Sequence, residues 1–261
     1  MNPIRRKITA TAAARRVFVA AFVLALFPVL ASAQWLRLPL PNTPRTPDGQ
    51  PNLTAPAPRT ADGKPDLSGI WRTTDTGNFA EKTAVPMRPW AEALYKERQA
   101  NNAKDNPEGL CLPPGIPEQM VNPLPWKIVQ TPGLTLILFE QWIDYRQIFT
   151  DGRGLPKIDK PSWFGYSVGR WEGDTFVVET IGFNDKTWIG DAGYPHTEAM
   201  RVTERFRRLN FGSMEVEFTF DDPEAFTKPW SEVAKFRLLP DTETMEQVCE
   251  NEKDSPHMVG R

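Results

Sequence analysis

Residues 163–209 read WFGYSVGRWEGDTFVVETIGFNDKTWIGDAGYPHTEAMRVTERFRRL, and this stretch decides the fold. Large and small residues alternate over 164–169, which is the period-two pattern of a half-buried strand. Residues 172–174 supply a glycine-containing turn, and the β-branched run 175–181 predicts the partner strand. A third strand is predicted over 200–209. The stretch therefore predicts an antiparallel sheet.

The third strand separates two kinds of side chain by parity. Apolar residues take the even positions, whereas Arg201, Arg205 and Arg207 take the odd ones. Glu204 falls on the apolar face, as do His196 and Glu198 if the strand extends back that far. Because an unpaired inward carboxylate is costly, a partner for Glu204 is expected. Arg146 is the preferred candidate, with Arg208 as the alternative.

The same alternation recurs along much of the chain. Further strands are predicted over residues 67–71, 134–143, 145–150, 214–220, 233–239 and 244–249. One helix is predicted over residues 88–103, whereas five prolines in residues 111–126 argue against regular structure there. About eight strands in meander order indicate a mainly β fold, a single antiparallel sheet that curls strongly or closes into a barrel.

The N-terminus has the composition of an export signal. A basic segment precedes an apolar run over 17–30, and Ala31-Ser32-Ala33 matches a cleavage site. Arg15-Arg16 resembles a twin-arginine signal, but paired arginines are common in ordinary signals, so Sec export is expected over Tat. The domains expected are a signal peptide (1–33), a proline-rich arm (34–66) and a β-barrel domain (67–261) with an insert at about 86–126. The mature protein is expected in the periplasm or secreted, without a stable membrane span.

Two cysteines, Cys111 and Cys249, predict one disulfide in an oxidising compartment. It would close a loop of about 138 residues, and the chain-entropy model gives roughly 4–5 kcal/mol of stabilisation as an upper figure. A reactive thiol pair or a metal site is less favoured, because neither cysteine has a Cys or His neighbour at ligand spacing. No metal or cofactor is expected.

Charge and motifs exclude several functional classes. The formal net charge is -2, and no basic block follows the signal, which argues against nucleic acid as a partner. The chain has no G-x-S-x-G elbow, phosphate loop, dinucleotide fingerprint or C-x-x-C pair. Binding of a small molecule, or acid/base chemistry without a cofactor, remains.

Several phrases resemble a family of uncharacterised secreted bacterial proteins. They include SVGRWEGDT at 167–175, Pro195-His196 and Glu204-Arg205-Phe206, with further matches at 65–71 and 146–153. The resemblance spans most of the mature chain but implies no particular activity. Separately, Gly69-Ile70-Trp71 is similar to the G-x-W element of lipocalins, which implies a calycin-like barrel.

His196 is the candidate general base. With Glu198 and Glu204 on the same parity it could form a carboxylate-supported base, and Arg146 could orient a polar oxygen of a substrate. The alternative is structural: His196 caps a loop through its ring nitrogens, and Glu204 only pairs with an arginine. One imidazole without ordered spacing does not favour a metal.

Aromatic side chains are the candidate ligand-binding residues, although most tryptophans of small β proteins belong to the core. The candidates are Tyr145, Trp163, Tyr166, Trp171, Trp188 and Phe206, with Trp230 at a possible pocket rim. The function predicted is an exported protein that binds an apolar or aromatic small molecule in a barrel cavity. The alternative is a lyase, isomerase or hydrolase that uses His196 and Glu204 on a hydrophobic substrate.

Overall fold

A computed structural model describes residues 38–75, 79–81 and 83–249. The predicted signal peptide, residues 1–33, lies outside these ranges, as do residues 250–261 of the predicted barrel domain. Within the described ranges, no helix combines the length and apolarity needed to cross a bilayer.

Nine strands form one closed barrel, in which each strand pairs with its neighbours in sequence and β1 pairs with β9. The fold is therefore mainly β, as the alternation predicts, and the closed barrel is consistent with the lipocalin-like fold that the Gly69-Ile70-Trp71 resemblance implies. The strands are β1 (Gly69–Thr73), β2 (Trp126–Thr131), β3 (Leu134–Phe139), β4 (Tyr145–Phe149), β5 (Tyr166–Glu172), β6 (Thr175–Ile181), β7 (Arg201–Arg208), β8 (Ser213–Asp221) and β9 (Trp230–Leu238).

One strand pair departs from the meander. β4 and β5 are parallel, whereas the other pairs of the barrel are antiparallel. A parallel connection needs a long crossover, and residues 150–165 provide it. At its end Gly165 has φ 63°, and a Cβ there would lie 2.6 Å from the Ile181 carbonyl oxygen, so the close approach to β6 requires glycine.

Two strand predictions differ from the structure. β2 follows the proline-rich segment directly, and its position next to Pro125 hid its alternation. Conversely, residues 244–249 were expected to form a strand but make only an isolated bridge, Gln247 with Gln141. Since β1 and β9 close the barrel, no free sheet edge is left for a further strand.

The insert contains the predicted helix and a second short one. α1 (Pro89–Ala100) begins with proline in its first turn and carries a Glu92–Lys96 ion pair at i,i+4 spacing, which favours the helix. A 3₁₀ turn, Glu108–Leu110, follows, and then α2 (Glu118–Val121). The expectation of irregular chain over residues 111–126 is thus wrong for this one turn, which begins directly after Pro117 and so obeys the preference of proline for a helix start.

The arm is attached to the barrel through a short sequence repeat, whose two copies are residues 45–53 and 59–67. Arg45 in the first copy forms a bidentate ion pair with Asp241, and Arg59 in the second copy forms one with Asp174. Each copy folds into a turn in which a threonine N–H donates to a carbonyl four residues later. The arm is therefore an ordered surface layer.

Cys111 and Cys249 form the predicted disulfide, with their Cα atoms 5.5 Å apart. Nearby, the Trp142 N–H donates to the Gln247 carbonyl at 2.7 Å, and the Met245 N–H donates to Glu140 Oε1 at 3.0 Å. These contacts hold the last described residues against the insert and the β3–β4 loop.

Candidate functional site

Glu204 lies on the inner face of β7 and is fully buried, as its parity predicts. Arg146 on β4 donates to both of its carboxylate oxygens, at 2.9 Å to Oε1 and at a shorter distance to Oε2. The structure thus confirms Arg146, and not Arg208, as the partner. Thr180 and Ser167 accept two further guanidinium hydrogens at 2.8 and 3.1 Å, which makes four hydrogen bonds in total.

The hydrogen bonds of the Arg146–Glu204 pair all lie within one group of four buried side chains. The Ser167 and Thr180 hydroxyls are 2.9 Å apart, and both residues are buried. A buried ion pair that is held by further hydrogen bonds fixes the relative positions of the strands that carry it. Here it joins β4, β5, β6 and β7 across the parallel step in the barrel.

His196 lies in the loop before β7, not on the strand. Its Nδ1 is 3.0 Å from the Thr197 carbonyl oxygen, which can only accept, so Nδ1 carries the proton. Nε2 then accepts from the Thr187 hydroxyl at 2.6 Å, and Thr187 is itself buried. Both ring nitrogens are engaged in holding the loop, which is the structural alternative for this residue.

Burial lowers the pKa of His196, outweighing the Thr197 carbonyl and Asp222, which raise it. Arg98 lowers this pKa further, and Asp185 raises it. His196 is therefore neutral in the folded protein at pH 7. Glu204 and Arg146 are not among these neighbours.

The depressed pKa gives a pH dependence of stability. Below about pH 6.5 the unfolded chain protonates this histidine while the folded protein resists, so stability should fall as the pH drops towards the folded pKa. His196 changes the free energy of unfolding by at most about 1.4 kcal/mol per pH unit. Urea unfolding between pH 8 and pH 5 measures the free energy of unfolding of wild type and of His196→Gln. This free energy should depend less on pH in the variant. Parallel profiles would contradict the assignment.

Glu198, expected on the inner face if β7 extended back, is exposed, because the strand begins only at Arg201. It shares an open cleft of about 540 Å³ with His196, Arg98 and Trp90. Arg146 and Glu204 do not line this cleft. The structure therefore places the predicted catalytic residues in two separate groups.

The predicted aromatic ligand residues are also divided. Trp171 and Phe206 both pack against Phe176 in the core, with ring centroids 5.1 and 5.9 Å apart from it. Trp188 is buried beneath Arg98, and Trp230 stacks on Phe220.

The other three aromatic candidates lie further out. Tyr145 is 60% exposed, on the outward parity of β4. Tyr166 lies against Phe149, and its hydroxyl accepts from the exposed Arg153. Trp163 is half-buried in the loop before β5. On β5 it is Ser167 that is fully buried, so the small residues of the alternation face inwards. These seven side chains do not surround one cavity.

An apolar pocket of about 200 Å³ lies between the arm and one end of the barrel; we call it the arm pocket. The arm contributes Leu40 and Pro58, and the polar rim includes the Lys127–Glu243 ion pair at 3.0 Å. Its other apolar lining residues come from the barrel end: Ile70, Phe211, Leu238, Leu239 and Pro240.

Arg208 borders the arm pocket and closes this end of the barrel. Its guanidinium lies 5.0 Å from the centre of the Trp71 ring and donates to the carbonyls of Asp66, Ser68, Asn210 and Phe211. Burial lowers the pKa of Arg208 to about 10, well above neutral pH, so the group stays charged beside the apolar lining. No ion pair recorded among the described residues includes it.

Two features of the sequence point to this pocket. Gly69 of the G-x-W element has φ 134°, and a Cβ there would lie 2.6 Å from Leu238 Cδ1, so glycine permits the contact that forms the pocket floor. The parity of β7 also placed Arg208 inwards, at the same end as Trp71. The arm residues Leu40 and Pro58, which also line the pocket, show no comparable pattern in the sequence.

A closed β-barrel is compatible with small-molecule binding. Comparisons of the chain with protein-family models, with curated proteins and with solved structures gave no match, so the assignment of a function rests on the geometry.

Proposed function

We propose that this protein binds a small apolar molecule in the arm pocket. The observation that supports this most is a concave apolar lining, formed jointly by the arm and the barrel end, with Arg208 and the Lys127–Glu243 ion pair at its polar rim. Binding sites of small molecules combine mostly apolar walls with few, well-placed polar groups. The arm pocket has this composition.

The size of the pocket limits the ligand. A cavity of about 150 Å³ lined by Leu, Ile and Phe side chains holds benzene, so about 200 Å³ suits a single ring with a short substituent. Lys127 is already paired with Glu243, whereas Arg208 is in none of the ion pairs recorded for the described residues, so Arg208 favours a substituent that is anionic or accepts hydrogen bonds. We therefore propose a monocyclic aromatic or similarly sized apolar ligand with an acidic group.

This proposal moves the ligand away from the barrel interior. The Arg146–Glu204 pair and the aromatic cluster around Phe176 take up the inward positions of the strands they belong to. An acid/base enzyme using His196 and Glu204 has less support, because their hydrogen bonds and charged neighbours belong to different groups. Binding without chemistry fits the contacts better.

We also propose that the protein is exported and belongs with the secreted bacterial family that its motifs resemble. The disulfide supports an oxidising compartment, since such bonds are rare in the reducing cytosol. Mass spectrometry of protein recovered from outside the cytoplasm would test this through the loss of residues 1–33. Protein found only in the cytoplasm with its N-terminus intact would contradict it.

A larger side chain in the arm pocket should weaken the binding of small apolar ligands. Leu239→Trp places an indole in the pocket, while the Leu239 N–H can keep its 2.8 Å hydrogen bond to the Ile70 carbonyl. We expect wild type to bind phenylacetate more tightly than ethylbenzene, and the variant to bind either at least tenfold more weakly. Isothermal titration calorimetry measures both.

The matched control is Val233→Trp, an exposed position on β9 outside the pocket lining. It should bind like wild type. If wild type binds neither compound, or if Leu239→Trp retains wild-type affinity, the arm pocket is not the site. A reversed preference, with ethylbenzene the tighter ligand, would remove the proposed role of Arg208.

A further inference from the structure

Three carboxylates that are distant in sequence meet beside the insert. Glu108 belongs to the 3₁₀ turn, Glu118 is the first residue of α2, and Asp191 lies in the loop between β6 and β7. One oxygen from each lies within 4.8 Å of the others. Three like charges at this separation repel one another, so the arrangement requires protons or a cation.

Glu118 is the member that most needs a counter-charge. Only 4% of its surface is exposed, and its Oε2 has no hydrogen-bond partner among the described residues. The ion pairs recorded for the described ranges include none of the three carboxylates. A buried charged oxygen without a partner is strongly unfavourable in a folded protein.

The electrostatic surroundings agree with this geometry. Burial raises the pKa of Glu118 well above its usual range, and Asp191 and Glu108 raise it further, while the Asp191 backbone N–H lowers it. Burial and Asp191 also raise the pKa of Glu108, while the Gln141 amide lowers it. Burial and the neighbouring carboxylates both destabilise negative charge, which a bound cation would stabilise.

Neighbouring amides hold two of the carboxylates in place. The Gln141 side-chain amide donates to Glu108 Oε1, and the Asn106 amide donates to Asp191 Oδ1 at 3.3 Å. The Cys111 N–H donates to the Glu108 carbonyl at 3.0 Å, so the disulfide also fixes this turn. Amides that orient carboxylates in this way are typical of the outer layer of metal sites.

We propose that Glu108, Glu118 and Asp191 form a binding site for a hard divalent cation, and that calcium is the ion that fits best. Carboxylate oxygens suit hard cations, and calcium accepts six to eight oxygen ligands at about 2.3–2.6 Å in a flexible geometry, so three carboxylates suit it. Magnesium requires nearly ideal octahedral geometry, usually keeps several waters and is bound through only one or two carboxylates. An open cleft of about 540 Å³ lined by Glu118 and Asp191 gives access to water, which would complete the coordination. The site is separate from the arm pocket and does not depend on ligand binding there.

Calcium binding to the full mature chain tests the site. After removal of metals with a chelator, isothermal titration with calcium chloride should show one ion per chain, with a dissociation constant of about 10⁻³ M or below. The melting temperature should rise with calcium and return when chelator is added. The same titration with magnesium should give binding at least tenfold weaker.

Asp191→Asn and Glu118→Gln should each weaken calcium binding at least tenfold. Asp191 is exposed, so its variant should fold even if the buried Glu118→Gln does not. The matched control, Asp159→Asn, removes a carboxylate that is 81% exposed and outside the cluster, and it should bind like wild type. Absence of calcium binding by wild type at millimolar calcium, or unchanged affinity in Asp191→Asn, would overturn the proposal. Equal affinity for magnesium would overturn the choice of calcium.

Discussion

Arg146→Met should lower the free energy of unfolding by about 3–5 kcal/mol, because it leaves the fully buried Glu204 carboxylate without its ion-pair partner. The Ser167 and Thr180 hydroxyls would also lose a donor. Urea unfolding at pH 7 measures the change. A loss below about 1 kcal/mol would mean that the pair is not buried as described.

A double variant tests whether the lost stability comes from the unpaired charge of Glu204. Arg146→Met combined with Glu204→Leu removes both charges and should recover most of the lost stability, since buried ion pairs are often replaceable by apolar side chains. The matched surface control is Arg170→Met on β5. Arg170 pairs with Glu179 at 2.6 Å, but its side chain is 53% exposed, so its loss should cost no more than about 1 kcal/mol.

Glu204→Gln distinguishes a structural role from a functional one. If the pair is structural, as its closed hydrogen-bond network indicates, the variant should be less stable while the folded fraction binds ligand like wild type. The contrary result, a melting temperature close to wild type with ligand binding lost, would return Glu204 to the functional site. Calorimetry at a temperature where both proteins are folded makes the comparison.

Removal of the disulfide should have an effect of similar size. Cys111→Ala combined with Cys249→Ala opens a loop with a sequence separation of 138, and loop entropy alone gives about 4–5 kcal/mol as an upper figure. The melting temperature should fall accordingly. Hydrogen exchange should rise first around Gln247 and Trp142, whose backbone contacts depend on this staple.

Reductant provides the control for the disulfide. Wild type treated with dithiothreitol should match the double alanine variant, and dithiothreitol should not change the variant itself. Intact-mass measurement after alkylation should detect two reactive thiols only in reduced protein. Two alkylated thiols in unreduced, exported protein would show that the bond does not form.

The parity of β7 could be read from the sequence because one strand face is buried and the other solvated. A one-residue slip would expose Val202 and Phe206, so the alternation leaves one register for Glu204. The preference for Arg146 over Arg208 is confirmed by the hydrogen bonds from Arg146 to both carboxylate oxygens of Glu204. The disulfide followed from cysteine count and an export signal.

Sequence reasoning failed where the chain leaves regular structure. His196 and Glu198 were expected on the inner face only if the third strand extended back to them, but β7 begins at Arg201, so parity does not apply to them. β2 was missed beside Pro125, and a strand was expected near Cys249 where the closed barrel offers no edge. The first error concerns an element boundary, which local pattern determines poorly. The other two concern short elements whose existence depends on which strands they can pair with.

The sequence by itself determined the β-barrel class, the inward position of Glu204 and the disulfide, because these depend on alternation along single strands and on residue type. Only the tertiary structure decided which groups share a site. The arm pocket joins Leu40 to Leu239, and the carboxylate cluster joins Glu108 and Glu118 to Asp191. Such pairs are set by how the barrel closes and where its loops pack, and these long-range contacts leave no periodic signal in the chain.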